Sequence, residues 1–538
     1  MGRFIVQKQN KKLKKLIYRD CRETMTSTAI LYSIEECLSG LVMIYAAGIL
    51  GEFADAVFTF NISFGIDILF KLLVCIGSMV LIIPMVGLIG EVTMFVNSLT
   101  HDRTIFDRFF DKGYEQATEI EAGEVQYRLE NDPITFRCNW VDIVTKAIIT
   151  PIAFIYVMYE AIQISWIFTL ITFVISAIKL VVPLTVKKLD AKYDRQTHDY
   201  NVKIRTYESQ IVEQPHMIKM YGLREPFLKE IDEIYHVYFK NVQSRSIKCK
   251  AIASQILSFL DTFCLLIILL IGAIMVANNN ISPGAVVAMT GYFTIFNLII
   301  SNTDSIIRNI PILKNNVDRL LVIYQDAEDL SGEDIVEIDT ISARSLKFTY
   351  DDKEIFNHLD FHIKKGDKVA ICGPNGSGKT TLIKMICRLL KNYGGSLQIN
   401  QQEIQSISIS SWYKQIAYAE QNPYLFSGTV LENVRLGNKN ISEEMLKCIM
   451  EEVGIMHLST REVSMDQNNL SGGEKQKISI ARALAKNTPI IILDEPHNNL
   501  DSESLSWLEK FIKTTDKTVL FISHEDKLST LANNRIIL

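Results

Sequence analysis

Up to residue 307, the chain is broken by six runs of roughly 20 mostly apolar residues, each long enough to cross a bilayer as a helix. They occupy 28–50, 66–90, 141–159, 162–182, 251–277 and 284–307. Turn-like connectors, YEAIQIS and NNNISPG, join the third run to the fourth and the fifth to the sixth. Two other connections, 101–140 and 187–250, are long, charged and patterned as helices. Arg103 and Arg108 in one, and Lys187, Lys188 and Lys192 in the other, place both on the cytoplasmic side by the positive-inside rule. The opening MGRFIVQKQNKKLKKLIYRDCR belongs on that side as well. It lacks a small-residue cleavage site behind a short apolar core, so residues 1–27 read as a retained segment. That segment is either an amphipathic helix on the bilayer surface or a basic tail.

After residue 310 the pattern changes. KNNVDRLLVIYQDAEDLSGED reads as an acidic linker, and from about residue 335 short strands alternate with helices: SLKFTYDD, KVAICG, SLQIN, IIILDEP and TVLFIS. That alternation predicts an α/β domain. The expected organisation is a cytoplasmic segment at 1–27, a six-span membrane domain at 28–320, a linker at 321–334 and a nucleotide-binding domain at 335–538.

Composition agrees with a membrane part joined to a water-soluble part: 48% hydrophobic residues and a mean hydropathy of +0.14. A net charge of −5 argues against a nucleic-acid partner. The nine cysteines are scattered without a C-x-x-C pair, and read as reduced thiols, not a disulfide framework or zinc site.

The chemistry is concentrated in ICGPNGSGKTTLIKMI, between a predicted strand and a predicted helix. Its Gly373-x-x-x-x-Gly378-Lys379-Thr380 spacing is that of a phosphate-binding loop. A backbone curled through Gly373, Pro374, Asn375, Gly376, Ser377 and Gly378 turns its N–H groups toward phosphate oxygens. Lys379 then reaches the β/γ-phosphates, the Thr380 hydroxyl ligates Mg²⁺, and the helix starting at Thr380–Thr381 offers its positive end. PIIILDEP is a buried strand ending in Asp494, which would hold Mg²⁺ directly or through water, and Glu495, placed to act as general base on the attacking water. LSGGEKQKISIARAL opens a helix at Ser471, Gly472, Gly473 and Glu474 and forms a second anion site. One nucleotide does not need two such sites from one chain, so one of them serves a partner's nucleotide.

With these residues in place, the whole chain resembles an ABC transporter half-molecule of the exporter type: six spans fused to one nucleotide-binding domain. LSGGE resembles that family's signature motif. The resemblance implies that Tyr350 stacks on adenine, that Gln421 contacts Mg²⁺ and faces the membrane domain, and that Asp501, ending NNLD, belongs to the D-loop. It also implies that His524 lies near the γ-phosphate. AGEVQYRLENDPITF and ESQIVEQPHMIKMYG resemble the family's intracellular loops, which touch the nucleotide-binding domains. The implied fold is an all-α six-helix transmembrane domain plus an α/β P-loop domain with a helical subdomain. Its implied cofactors are ATP and Mg²⁺.

The family's ATP lies between one chain's P-loop and the other's signature, which makes a second half-transporter the expected partner, in a homodimer or a heterodimer. The expected setting is the lipid bilayer of a cell membrane, the inner membrane of a bacterium, with both termini cytoplasmic. Three features depart from the family. VSMDQNN stands where a Gly-Glu-x-Gly-like segment is usual, and His497 where a small residue or Thr is common. The chain also stops soon after His524, and a trimmed domain and a naturally short one read alike.

Acidic residues inside spans cost roughly 2.5–3.5 kcal/mol to insert, so they face the interior or a partner. Asp67 with Lys71, and Asp304 with Arg308, are spaced to pair within their own helices. Glu35, Glu36, Glu91 and Asp261 have no local partner in sequence, and either line a polar, cation-accepting cavity or bond between helices. The function expected is export of a small peptide or other amphipathic molecule, with a lipid flippase as the alternative. A soluble ABC ATPase is disfavoured by the spans, and an ATP-gated channel by the intact catalytic set.

Overall fold

The computed structural model describes residues 2–59, 62–118, 120, 122–213, 215–325, 328, 331–350, 353–464, 469–523 and 526–538. It divides into two compact units: Met1–Lys112 with Gln116–Ala327, and Gly113–Glu115 with Glu328–Leu538.

The first unit is helical. Among the described residues five helices are long and apolar enough to cross a membrane: Lys8–Phe58, Ile66–Phe110, Gly123–Ile164, Arg224–Ala277 and Pro283–Tyr324. Five of the six predicted spans fall inside them. The fourth is divided: the α-helix Trp166–Ala177 gives way to a 3-10 turn at Ile178–Leu180, then resumes as Val181–Glu213. Pro183 has no N–H to donate to the carbonyl four residues earlier, so the regular ladder breaks there.

The N-terminal segment also differs from expectation. It is neither a separate surface helix nor a tail, but the first part of one helix, Gly2–Phe58. No proline interrupts that stretch. Ile17, Cys21, Met25 and Ala29, four apart, form a buried stripe against Ile105, Phe136, Val317 and Leu320.

Small residues bring the first and last of these helices into backbone contact. A Cβ on Gly284 would fall 2.1 Å from the Gly51 carbonyl oxygen, and one on Gly291 would fall 2.4 Å from the Ala47 Cβ. Where lipid removes the usual hydrophobic drive between helices, such approach supplies the packing. Asp55 ties the same two helices, accepting from Ser282 Oγ at 2.6 Å and from the Gly284 N–H at 2.7 Å. Leu69, Phe70, Leu73, Leu81, Met85 and Leu88 are exposed along one helical run, as a lipid-facing surface requires.

The second unit holds two main sheets. The antiparallel one runs Lys353–Lys364, Thr340–Tyr350, Gly394–Ile399, Gln402–Glu403 in spatial order. The parallel one runs Asn534–Ile537, Lys368–Cys372, Thr518–Ile522, Ile490–Leu493, Ile416–Ala419. All four residues of Ile490–Leu493 are buried, as a central parallel strand covered on both faces demands. Leu346, Leu382, Ile386 and Trp412 pack in the core beside them, and Trp412 Nε1 donates to the Ile386 carbonyl at 2.9 Å. Helices Val430–Arg435, Glu443–Glu452 and Gly472–Ala485 build a separate apolar cluster around Val434, Leu446, Met450 and Ile478. That is the helical subdomain.

Candidate functional site

Strand Lys368–Cys372 feeds a loop that opens helix Lys379–Ile386. Its course depends on backbone that L-residues avoid: Gly376 has φ 81° and Gly378 φ 95°. A Cβ on Gly378 would stand 2.3 Å from Ile355 Cγ2, so a side chain there would also force the loop or Ile355 to shift. Lys379, nearly buried, folds back over the loop and donates to the Gly373 and Pro374 carbonyls, both at 2.9 Å. The Ser377 hydroxyl is buried with no hydrogen-bond partner among the described residues.

A cavity of about 450 Å³ opens over this loop. Asn375, Gly376, Gly378, Lys379, Thr380, Thr381, Gln421 and Glu495 line it, all singled out from sequence, together with Ile355, which was not. Gln421 Nε2 donates to Glu495 Oε2 at 2.5 Å, and Asn498 Nδ2 donates to the same oxygen at 2.7 Å. Glu495 itself has φ 47°, a left-handed conformation that turns the chain sharply at the edge of the parallel sheet.

Asp494 lies behind the cavity at 1% exposure. Tyr418 Oη donates to its Oδ2 at 3.2 Å, and its Oδ1 has no hydrogen-bond partner among the described residues. Burial pushes its pKa above the ordinary carboxylate value, and the adjacent Glu495 charge adds to this. Hydrogen bonds from Tyr418 and Thr380, and the Lys384 charge, oppose it without cancelling it.

Ser471 and Glu474 form a reciprocal cap on helix Gly472–Ala485. Ser471 Oγ accepts from the Glu474 N–H at 3.2 Å, and Glu474 Oε2 accepts from the Ser471 N–H at 2.6 Å. A Cβ on Gly473 would lie 2.4 Å from the Asn499 carbonyl oxygen, so this helix start abuts the turn after Glu495. Asp501 caps helix Ser502–Thr514 through the Ser504 N–H and pairs with Lys477 at 3.1 Å. The Ser504 hydrogen bonds, with Lys477, hold its pKa down to about 2.

Ser471, Gly472, Gly473, Glu474 and Asp501 do not line the P-loop cavity, and neither does Tyr350, whose exposed ring meets Phe348 edge-on at 5.8 Å. His524 and residues 465–468 of the altered segment lie outside the described residues. Asn498 was missed although it stands only three residues beyond Glu495. Tyr418 had no local signal: it reaches Asp494 because its strand pairs with Ile490–Leu493.

In the membrane unit the three glutamates neighbour one another, Glu35 and Glu91 both beside Tyr32 and Glu36 within reach of the Glu35 charge, while Asp261 stands apart. Glu35 packs against Gly87, where a Cβ would fall 2.5 Å from its carboxylate oxygen. Glu91 bonds Tyr32. Glu36 interacts with the charges of Lys146 and Asp142, which pair with each other at 2.6 Å. Asp261, which lacks a partner nearby in sequence, has one in space: Lys179 donates to it and, at 2.6 Å, to Asn297 Oδ1. A cavity of about 330 Å³ opens there, and none of the three glutamates lines it. Lys179 is the lone lysine in 162–182, and a lysine inside a span costs as much to bury as an acid. The two i,i+4 pairs form, Lys71–Asp67 at 3.3 Å and Arg308–Asp304.

Comparison with known proteins bears on both units. Residues 29–300 match the family model described as ABC transporter transmembrane region, and 356–498 the one described as ABC transporter. Among curated relatives, the multidrug resistance-like ATP-binding protein MdlA of Buchnera aphidicola is 27% identical over 449 residues, 78% of this chain and 75% of that one. The lactococcin-A transport/processing ATP-binding protein LcnC of Lactococcus lactis is 27% identical over 64% of this chain and 50% of its own length. The ATP-dependent lipid A-core flippase of Syntrophus aciditrophicus is 29% identical over 58% and 53%. The chain thus matches about half the length of the last two. Among solved structures, a bacterial Atm1-family ABC exporter with ATP bound has the same fold, with a TM-score of 0.78 at 17% identity, covering 96% of this chain and 93% of that one.

Proposed function

The chain belongs to the ABC transporters as an exporter-type half-transporter, and from that premise we propose that it pairs with a second copy to carry a small peptide or other amphipathic molecule out of the cytoplasm. ATP hydrolysis drives the transport. What supports the residue assignment is one cavity that gathers the phosphate loop, Gln421 and Glu495.

In this reading the curled loop surrounds the phosphates of ATP, and Lys379 exchanges its two carbonyl partners for β/γ-phosphate oxygens. Glu495, oriented by Gln421 and Asn498, accepts the proton of the water whose oxygen attacks the γ-phosphorus. ADP is the leaving group. The unpartnered Asp494 Oδ1 and the Thr380 hydroxyl fit an oxygen-ligated Mg²⁺, which would neutralise phosphate charge when bound.

Tyr350 and His524 are assigned to the adenine and the γ-phosphate on the family resemblance. Ser471, Gly472, Gly473, Glu474 and Asp501, away from this cavity, are assigned to the nucleotide of the partner chain. Closing two such sandwiches and reopening them after hydrolysis would alternate the membrane unit between its two faces. With each catalytic motif in one sequence, a homodimer is the arrangement proposed. Its setting is the inner membrane of a bacterium, with both termini cytoplasmic. Similarity to lipid A-core flippases supports a second reading, in which the cargo is a lipid.

The test begins with Glu495→Gln, which removes the base and leaves the phosphate cradle. The purified variant should bind ATP and lose most hydrolysis; near-normal turnover would refute the assignment. For cargo, inside-out vesicles should accumulate a labelled amphipathic peptide with ATP and not with a nonhydrolysable analogue. Movement of labelled lipid alone would favour the second reading.

A further inference from the structure

Two ion pairs stand on the wall of the cavity in the membrane unit, and they are built alike. In one, Lys179 is 3% exposed and its partner Asp261 51%. In the other, Asp304 is 9% exposed and its partner Arg308 51%. Each pair therefore buries one charge and presents the opposite one.

Lys179 is fixed further by Asn297 Oδ1 at 2.6 Å and by the Phe293 ring, whose centroid lies 4.6 Å from its Nζ. The accessible groups are thus a carboxylate and a guanidinium, held in place by countercharges behind them. Lys250, exposed, also lines the space, and both it and Asp304 have further interactions of their own, so the lining carries three cations against two carboxylates. Leu257 and Ile300 supply apolar wall between them.

A charge taken from water into such a site must be matched there, because unmatched burial costs several kcal/mol. A purely cationic ligand satisfies Asp261 and opposes Arg308; a purely anionic one does the reverse. We propose that this cavity binds a small amphipathic molecule carrying both charges, its cationic group on Asp261, its anionic group on Arg308 and its apolar part against Leu257 and Ile300. The proposal rests on the transporter reading and names the chemical class of its cargo. The excess of cations adds an order: zwitterion first, anion second, cation third. A peptide with two free ends and a phosphatidylethanolamine headgroup share this chemistry.

Full-length protein reconstituted in phosphatidylglycerol vesicles would be titrated with a radiolabelled leucine–phenylalanine–leucine tripeptide in four forms: free-ended, N-acetylated, C-amidated and blocked at both ends. One charge-assisted contact corresponds to about tenfold in affinity. The free-ended form should therefore bind about tenfold tighter than the acetylated form, and tighter again than the amide. Asp261→Asn should abolish the difference between free and acetylated peptide, and Arg308→Gln that between free and amidated peptide. Affinity for the doubly blocked form reads the apolar wall alone and identifies a variant that has misfolded.

Displacement of the peptide by phosphatidylethanolamine would support the same site with a lipid source, and binding of the free-ended peptide without displacement would support a peptide source. Equal binding of all four forms, parallel losses in both variants, or no binding of either source would overturn the proposal. ATP hydrolysis in the same wild-type vesicles separates the two readings: an active ATPase without charge preference refutes the site and leaves the transporter.

Discussion

Gly378 and Gly376 lie two residues apart in the phosphate loop, both at positive φ, yet they predict different outcomes for the same substitution. At Gly376 (φ 81°) a methyl would meet nothing within 4 Å, so Gly376→Ala carries the left-handed backbone cost alone. That cost is about 1–2 kcal/mol, and a free loop can relax it while a loop wrapped on phosphate cannot. ATP affinity should fall roughly 5- to 30-fold. At Gly378 (φ 95°) the same methyl would stand 2.3 Å from Ile355 Cγ2, against an ordinary carbon contact of about 3.5–4.0 Å. Either the loop or Ile355 must move by more than about 1 Å, adding roughly 1–3 kcal/mol of overpacking.

Gly378→Ala should then weaken ATP roughly 30- to several-thousand-fold. Removing the obstacle separates the two terms. Ile355→Ala weakens ATP by itself, because Ile355 lines the cavity, but combined with Gly378→Ala it should return about 1 kcal/mol or more of favourable coupling in a double-mutant cycle. The backbone term stays, as does the tight 3.1 Å approach to Phe356 Cδ1. Displacement of a fluorescent ATP analogue from the purified full chain gives all four affinities. Equal losses at the two glycines, or additive behaviour of Gly378→Ala with Ile355→Ala, would refute the steric argument.

Two further predictions concern charge and assembly. Asp494 has a folded pKa raised above its ordinary value by burial, so it contributes instability once pH exceeds both its unfolded and folded pKa. Asp494→Asn should raise the melting temperature of nucleotide-free protein near neutral pH and abolish the added stabilisation by ATP with Mg²⁺. The gain should shrink as pH falls toward the ordinary carboxylate range, and a gain independent of pH in scanning fluorimetry would count against it. For assembly, chains carrying Asn375→Cys mixed with chains carrying Ser471→Cys, both in the Glu495→Gln background, should crosslink between chains when ATP is present. ATP-independent crosslinking, or crosslinking within one chain only, would count against a shared site.

Sequence was most informative where chemistry is local. The phosphate loop needs its glycines, lysine and threonine at fixed spacing, and the same residues meet in one cavity with Glu495 and Gln421. It was least informative where a partner arrives from far along the chain. Asp261 looked solitary because Lys179 is 82 residues away, and Tyr418 carried no sign of Asp494 until the parallel sheet set their strands side by side. Helix limits failed for a related reason. Amphipathic spacing at Ile17, Cys21, Met25 and Ala29 is visible in the sequence, but what covers that stripe comes from helices beginning far downstream.

The glycine contacts between helices Gly2–Phe58 and Pro283–Tyr324 also have a mechanical meaning. Gly51 against Gly284, and Ala47 against Gly291, are two points of near-zero clearance along one seam. One such point would be a pivot; two in line oppose scissoring of one helix across the other, and the Asp55 hydrogen bonds to Ser282 and Gly284 oppose sliding. Distances between spin labels on these two helices should hold constant through the ATP cycle, and a change of several ångströms would contradict this. If the proposed transport cycle operates, the first and last helices of the membrane unit would then swing as a single lever, with its hinges in the seams around them.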